Sequence, residues 1–259
     1  MRTRPVLFPP PARARLFALA LAVALGPFIP ATVQAARDRT QSCFFRGVYL
    51  LRQISPGEHW PKTVLPRGIG SDDATNALLM HPDRSFVLAA VLRDLETAAG
   101  SGKYPQAGYY AAHAAALLGR HQEAAASMQA YLGKAPFREL DHLFLVRELY
   151  AATDYPGVLE AARQWQLSDT AGDGCSEDRL VYVWGSLHAE GRHREAMDAV
   201  LSAPCASWRG RLLFARSRLA LGDAQWAEAY LKSTLAAFPD KNREIQRLWN
   251  HLATADKYP

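Results

Sequence analysis

The sequence predicts an all-α protein, a right-handed α-solenoid of about four helix-turn-helix repeats with a cap at each end. A short turn recurs four times, and the middle residues of successive turns are 34, 38 and 31 residues apart. A spacing near 34 residues is typical of stacked helix-turn-helix units. Two further observations agree: a small apolar residue follows each turn at a constant distance, and apolar helical stretches flank the repeats. The turns are centred on Gly119, Thr153, Gly191 and Gly222.

Residues 1–35 are typical of a cleavable secretory signal peptide. Basic residues precede an apolar run over residues 16–29, and Val33-Gln34-Ala35 supplies small residues at the expected cleavage spacing. The run is short for a membrane span and contains Gly26-Pro27, which argues against a retained anchor. We therefore expect a periplasmic protein with no integral membrane span in the mature chain.

Removal of this leader changes the charge balance. The full chain has 30 basic and 25 acidic residues, a net charge of +5, and four of the basic residues lie in the leader. The mature chain would keep 26 basic against 25 acidic residues, a net charge of +1. A nearly neutral chain gives no reason to expect nucleic acid or an anionic membrane as a partner.

Residues 36–103 are predicted to form an N-terminal cap region. An apolar helix is expected over residues 43–54, and a loop rich in proline and glycine over residues 55–71. Helices over residues 72–80 and 85–98 should follow. Such a block would cover the open face of the first repeat, because the terminal repeats of a solenoid expose apolar surface unless they are capped.

Residues 104–240 contain the repeats. Five residues after each middle turn residue comes a small apolar side chain, and the positions four and seven residues further share its helical face. The small residues are Ala124, Val158, Ala196 and Ala227. Residues 241–259 are expected to form a C-terminal capping helix and tail, because Ile245, Leu248, Trp249 and Leu252 share one face.

Residues 105–240 resemble the tetratricopeptide repeat family, most closely in the first and last repeats. The alternative is an ordinary helical bundle in which the spacing of the turns is fortuitous. The first repeat carries Tyr109, Ala112, Leu118-Gly119, Ala124 and Pro136 at the spacing of that family. The second repeat departs from the pattern, because Thr153 replaces the usual turn glycine and Val158 the usual alanine. The resemblance implies that the first helix of each repeat lines a groove that holds a segment of a partner protein.

Carrying the groove positions of that family onto this chain gives an aromatic and basic set. We therefore expect the groove to bind an acidic or carboxylate-terminated peptide, with the arginines as charge-assisted donors and the tyrosines as flat contacts. The predicted groove residues are Tyr109, His113, Arg147, Tyr150, Arg209, Leu212 and Arg216.

Cysteines allow a disulfide in an oxidising compartment. Cys175 and Cys205 both lie in loops that lead into the first helices of adjacent repeats, so they form one candidate pair. A bridge from Cys43 to either of them, and no bridge at all, remain as alternatives.

The sequence contains no convincing catalytic or metal-binding pattern, so we expect no enzymatic activity, no cofactor and no metal site. His188 and His193 are five residues apart, which would place them on different sides of a helix, and Gly191 ends that helix between them. In residues 169–180, Ala171 and Leu180 occupy positions where a calcium loop needs oxygen ligands. No glycine-rich stretch has the spacing of a phosphate-binding loop.

These observations predict a non-enzymatic scaffold or adaptor that holds a partner protein in the assembly of a cell-envelope complex. One alternative is an accessory α-superhelical subunit of a peptidoglycan-processing enzyme, for which a separate catalytic domain would be needed. The other is a small-ligand carrier, which would require a deep apolar pocket rather than an open groove.

Overall fold

The computed structural model describes residues 31–56, 60–168, 176–203 and 207–254. Within these ranges the protein is all-α, with twelve α-helices, one short 3₁₀ helix and no β-strand. The predicted all-α class is therefore confirmed. None of the helices in the described part of the chain is long and apolar enough to cross a membrane.

The chain divides into two compact units, the first ending at Ser42 and the second beginning at Cys43. Helix α1 (Ala31–Ile54) contains this boundary, and its beginning is all that the structure describes of the first unit. The greater part of the predicted signal peptide, residues 1–30, lies outside the described residues. The helix predicted over residues 43–54 forms part of α1.

The first helices of the second unit are held together by side chains of α1. Helices α2 (Asp73–Leu79) and α3 (Arg84–Gly100) follow close to the predicted ranges. Arg46 of α1 donates two hydrogen bonds of 2.7 Å to Asp94 of α3. Arg52 donates to the carbonyl oxygens of Pro61 and Thr63, at 2.7 and 3.2 Å, and so binds the loop that precedes α2.

Four helix pairs follow, each joined by a three-residue turn at a position that the sequence predicted. The pairs are α4 (Ala107–Leu117) and α5 (His121–Leu132), α6 (Glu139–Ala151) and α7 (Tyr155–Ser168), α8 (Glu177–Ala189) and α9 (His193–Ser202), and α10 (Trp208–Ala220) and α11 (Ala224–Ala237). A 3₁₀ turn (Pro239–Lys241) and α12 (Asn242–Thr254) complete the described chain.

All four turns have the same hydrogen bonds. In the first, the amide of Gly119 donates to the carbonyl of Ala116, and the amide of Arg120 donates to that of Ala115. The equivalent amides make the same two bonds in the other three turns. This Schellman arrangement requires a left-handed residue at the centre of the turn. Thr153 adopts it with φ of 60°, whereas the other three turns use glycine.

The small residues after the turns are fully buried. Ala124, Val158, Ala196 and Ala227 each have 0% of their surface exposed. Each helix from α3 to α10 packs against the next helix in the chain, and α8 also contacts both α6 and α10. Helix α12 packs on α10, where Ile245 joins Leu212 and Leu231 in an apolar cluster. The predicted small-residue faces are therefore part of the core.

Of the three cysteines, Cys43 is the one within the described residues. Cys175 and Cys205 lie outside the described residues, as does the stretch 169–175 that was compared with a calcium loop. The third cysteine, Cys43, is buried in α1. The candidate disulfide therefore stays a prediction.

Candidate functional site

A pocket of about 670 Å³ opens between the first two helix pairs. Its walls are α4 on one side and α6 on the other, with His121 at the start of α5 and Trp60 from the N-terminal loop. Three of the predicted groove residues line it together: Tyr109, His113 and Arg147.

Aromatic rings form one wall of the pocket. His113 of α4 lies at the centre of this wall, with ring centroids 4.6 Å from Tyr109, 4.3 Å from Phe144 of α6 and 5.2 Å from Trp60. The indole Nε1 of Trp60 donates a 3.0 Å hydrogen bond to the carbonyl of Ser55. This bond holds the Trp60 ring against α4.

Arg147 of α6 supplies a positive charge that its contacts hold in one orientation. Its guanidinium carbon lies 5.1 Å from the centroid of the Phe144 ring, and its Nε donates to Glu148 Oε1 at 3.1 Å. The Arg147 side chain nevertheless remains 55% exposed. A guanidinium held on one edge can offer its other N–H groups to an anion with little further loss of side-chain freedom.

The pocket also contains two buried carboxylates, Glu148 next to Arg147 and Asp141 next to Arg138. Glu148 accepts a 2.8 Å hydrogen bond from the Nδ1 side of His121 when that imidazole nitrogen carries the proton. Asp141 has one oxygen 3.8 Å from Arg138 Nη1, and this oxygen accepts no hydrogen bond from the described residues. Because burial disfavours the charged form, the pKa of Asp141 is raised.

Burial also changes the titration of the aromatic wall. It lowers the pKa of His113 to about 4, with a smaller contribution from the Arg147 charge, so His113 is neutral at pH 7. It raises the pKa of Tyr109 to about 12, with a contribution from Asp141. At neutral pH the wall is therefore uncharged, and the exposed positive charge of the pocket comes from Arg147 and Arg138.

The rim of the pocket is apolar and exposed. Leu140 is 67% exposed and Leu117 is 39% exposed, and both line the opening. Together with the aromatic wall and Arg147, these side chains can hold a flat or aliphatic group next to a carboxylate. Within the described residues no group of three or more His, Cys, Asp and Glu side chains is placed to hold a metal ion.

The remaining predicted groove residues lie elsewhere. Tyr150 is buried and packs between α6 and α8, where a Cβ on Gly185 would lie only 3.1 Å from its ring. Leu212 is fully buried beside Ile245, so its side chain has no surface to offer a partner.

Arg209 lies 3.7 Å from both Glu177 and Asp178 of α8. Arg216 is half-buried on α10 and acts on the titration of His188.

The expectation that His188 and His193 face apart is wrong. Their Nδ1 atoms are 3.0 Å apart, because the turn at Gly191 reverses the chain between them. The 100° step of a helix applies only within one helix, whereas these residues belong to two antiparallel helices.

Sequence reasoning also missed several residues of the pocket. Trp60 and His121 lie outside the first helices of the repeats, and Phe144 and Glu148 are not at the groove positions implied by the family resemblance. The one available signal was a pair of acidic residues, Asp141 and Glu148, which are seven residues apart and therefore share one face of α6. Comparison with protein-family models, curated proteins and solved structures gives no match.

Proposed function

We propose that the protein is a non-enzymatic interaction scaffold that binds a short acidic or carboxylate-bearing segment of a partner protein. The pocket between α4 and α6 is the binding site in this proposal. The observation that carries it is Arg147, whose exposed guanidinium is oriented by Phe144 and Glu148 beside an apolar rim. Aromatic and arginine side chains of this kind dominate the energy of many protein interfaces.

The proposal includes a tetratricopeptide-like solenoid in the cell envelope. The four equivalent turns, their spacing and the contacts of α8 with α6 and α10 support stacked repeats. The basic and apolar pattern of residues 1–35 supports export to the periplasm. Assembly of an envelope complex is the role that would fit both features.

The pocket restricts the length of the bound segment. Trp60 closes it on the N-terminal side, and Tyr150 fills the corresponding space at the next junction by packing on Gly185. A partner would therefore insert one or two side chains here, rather than follow the first helices of all four repeats as the sequence predicted.

A binding experiment with charge-sorted peptides tests the proposal. Labelled seven-residue peptides, acidic or neutral, would be titrated against the protein and followed by fluorescence anisotropy. We expect acidic peptides to bind, and Arg147→Ala to weaken them by roughly tenfold because a charge-assisted hydrogen bond contributes about 1.5–3 kcal/mol. Binding by Arg147→Ala should also depend less on salt.

Two control variants separate the pocket from surface charge in general. Arg163→Ala removes an exposed arginine of α7 that forms a salt bridge with Glu160, and Arg216→Ala removes one of the four arginines of α10. Both should bind acidic peptides like the wild type. Equal loss in all three variants, or unaltered binding by Arg147→Ala, would reject the pocket as the binding site. Stabilisation by small metabolites without any peptide binding would favour a carrier instead.

A further inference from the structure

The third turn brings two histidines into direct contact. His188 lies in the last turn of α8, and His193 is the first residue of α9. Their Nδ1 atoms are 3.0 Å apart, and their ring planes are inclined by 53°. The His188 ring is also stacked on Trp184, with centroids 4.7 Å apart, which fixes its orientation. Both imidazoles are half-buried, so they remain open to solvent on one side.

We propose that His188 and His193 form a binding site for one divalent transition-metal cation, Zn²⁺, Ni²⁺ or Cu²⁺, coordinated through their two Nδ1 atoms. Two imidazole nitrogens bound to one such ion at about 2.0–2.1 Å lie roughly 3 Å apart when they occupy adjacent coordination positions. The observed separation of 3.0 Å therefore places both ligands with little movement. Imidazole is a preferred ligand of these three ions.

The protonation states agree with this role. A hydrogen bond between the two Nδ1 atoms requires one of them to carry a proton, whereas coordination requires both to be bare. Binding would move that proton to Nε2 of the same ring, so the number of bound protons is unchanged. Each histidine would bind the ion as a neutral imidazole.

The site would be open rather than closed. No third His, Cys, Asp or Glu joins the pair within the described residues, so water would fill the remaining coordination positions. The bound ion would link the end of α8 to the start of α9 and stabilise the third turn. Arg216 of α10 opposes binding, because its positive charge acts on His188.

Isothermal titration of the full-length protein, without an affinity tag, with ZnCl₂ and with NiCl₂ tests the site. We expect the wild type to take up one ion per chain and to gain thermal stability, and this gain should rise with the logarithm of the free ion concentration above the Kd. The single variants His188→Gln and His193→Gln should each lose at least tenfold in affinity. Circular dichroism establishes that each variant is folded.

Two further variants make the result specific. His81→Gln removes an exposed histidine near α3 and should bind zinc like the wild type. Arg216→Gln should bind zinc several-fold more tightly, because an opposing charge is removed. Absence of uptake by the wild type, equal uptake by a His188→Gln/His193→Gln double variant, or equal loss in His81→Gln overturns the proposal. Weaker binding by Arg216→Gln would contradict an ion beside His188.

Discussion

The first and second junctions between helix pairs differ in the side chains at two equivalent repeat positions, and as a result one junction contains a pocket and the other is filled. At the first junction, between α4 and α6, Ala116 lies three residues before the middle residue of the turn, and Arg147 faces the same pocket. At the second junction, between α6 and α8, the equivalent positions hold Tyr150 and Gly185, and the ring fills the space above the glycine. One junction is open and the other is packed.

This difference shows that side-chain size at two positions decides where the protein has a binding surface. A small residue on the earlier helix leaves room beside a long one, as with Ala116 and Arg147. A large residue on the earlier helix requires a small one opposite, because the interior is closely packed. The sizes of the side chains at these two equivalent positions therefore determine whether a pocket is present at a junction.

The largest expected effect is that of Tyr150→Ala, which should open the second junction. Loss of a buried aromatic ring is expected to lower the free energy of unfolding by about 3 kcal/mol. Urea denaturation measures this change, and Leu167→Ala, at an exposed position of α7, is the control with an expected effect below about 0.5 kcal/mol. A Tyr150→Ala variant that keeps wild-type stability would contradict the packed second junction.

Acidification should destabilise the first junction through His113. Its pKa is about 4 in the folded chain, below the ordinary value of 6.5, so the unfolded chain binds more protons between these two values. The free energy of unfolding should therefore fall as the pH decreases from about 6.5 towards 4, by on the order of 2 kcal/mol at pH 5.

Denaturation of the wild type and His113→Gln across this range isolates the contribution of His113. His142 and His188 have lowered pKa values and act in the same direction in both proteins. The variant should lose part of the pH dependence, and identical pH profiles would show that His113 titrates normally.

A smaller effect is expected at the second turn, which precedes the packed junction. Thr153→Gly removes a β-branched residue from the left-handed region at φ of 60°, so it should stabilise the protein by roughly 0.5–1 kcal/mol after the greater freedom of glycine in the unfolded chain is included. Thermal unfolding measures the gain. Gly119→Ala, at the same position of the first turn, should have the opposite sign.

The smallest change in stability is expected from Ala116→Leu, the reciprocal of Tyr150→Ala. The added side chain enters the pocket instead of the core, so the free energy of unfolding should change by less than about 0.5 kcal/mol. Binding of acidic peptides should nevertheless be lost. Retained binding in this variant would place the peptide outside the pocket.

Particular residues show how far the sequence could be interpreted. The turns at Gly119, Gly191 and Gly222 were predictable because left-handed backbone favours glycine, and Thr153 was found through its spacing alone. The contact of Trp60 with His113 could not be found in this way, because it joins a loop to a helix about fifty residues later. The pairing of His121 with Glu148 could not be predicted from the sequence either, because it depends on how two helix pairs pack against each other.

The helices, the turns and the buried small residues of this protein could be predicted from the amino-acid sequence alone. These features depend on interactions between residues near one another in the chain, such as the backbone hydrogen bonds of the turns and the periodicity of one helical face. Two features became visible only in the folded chain: which of the seven predicted groove residues share a pocket, and the contact of His188 with His193. Both depend on the packing of one helix against another, where the size of each side chain determines what remains exposed.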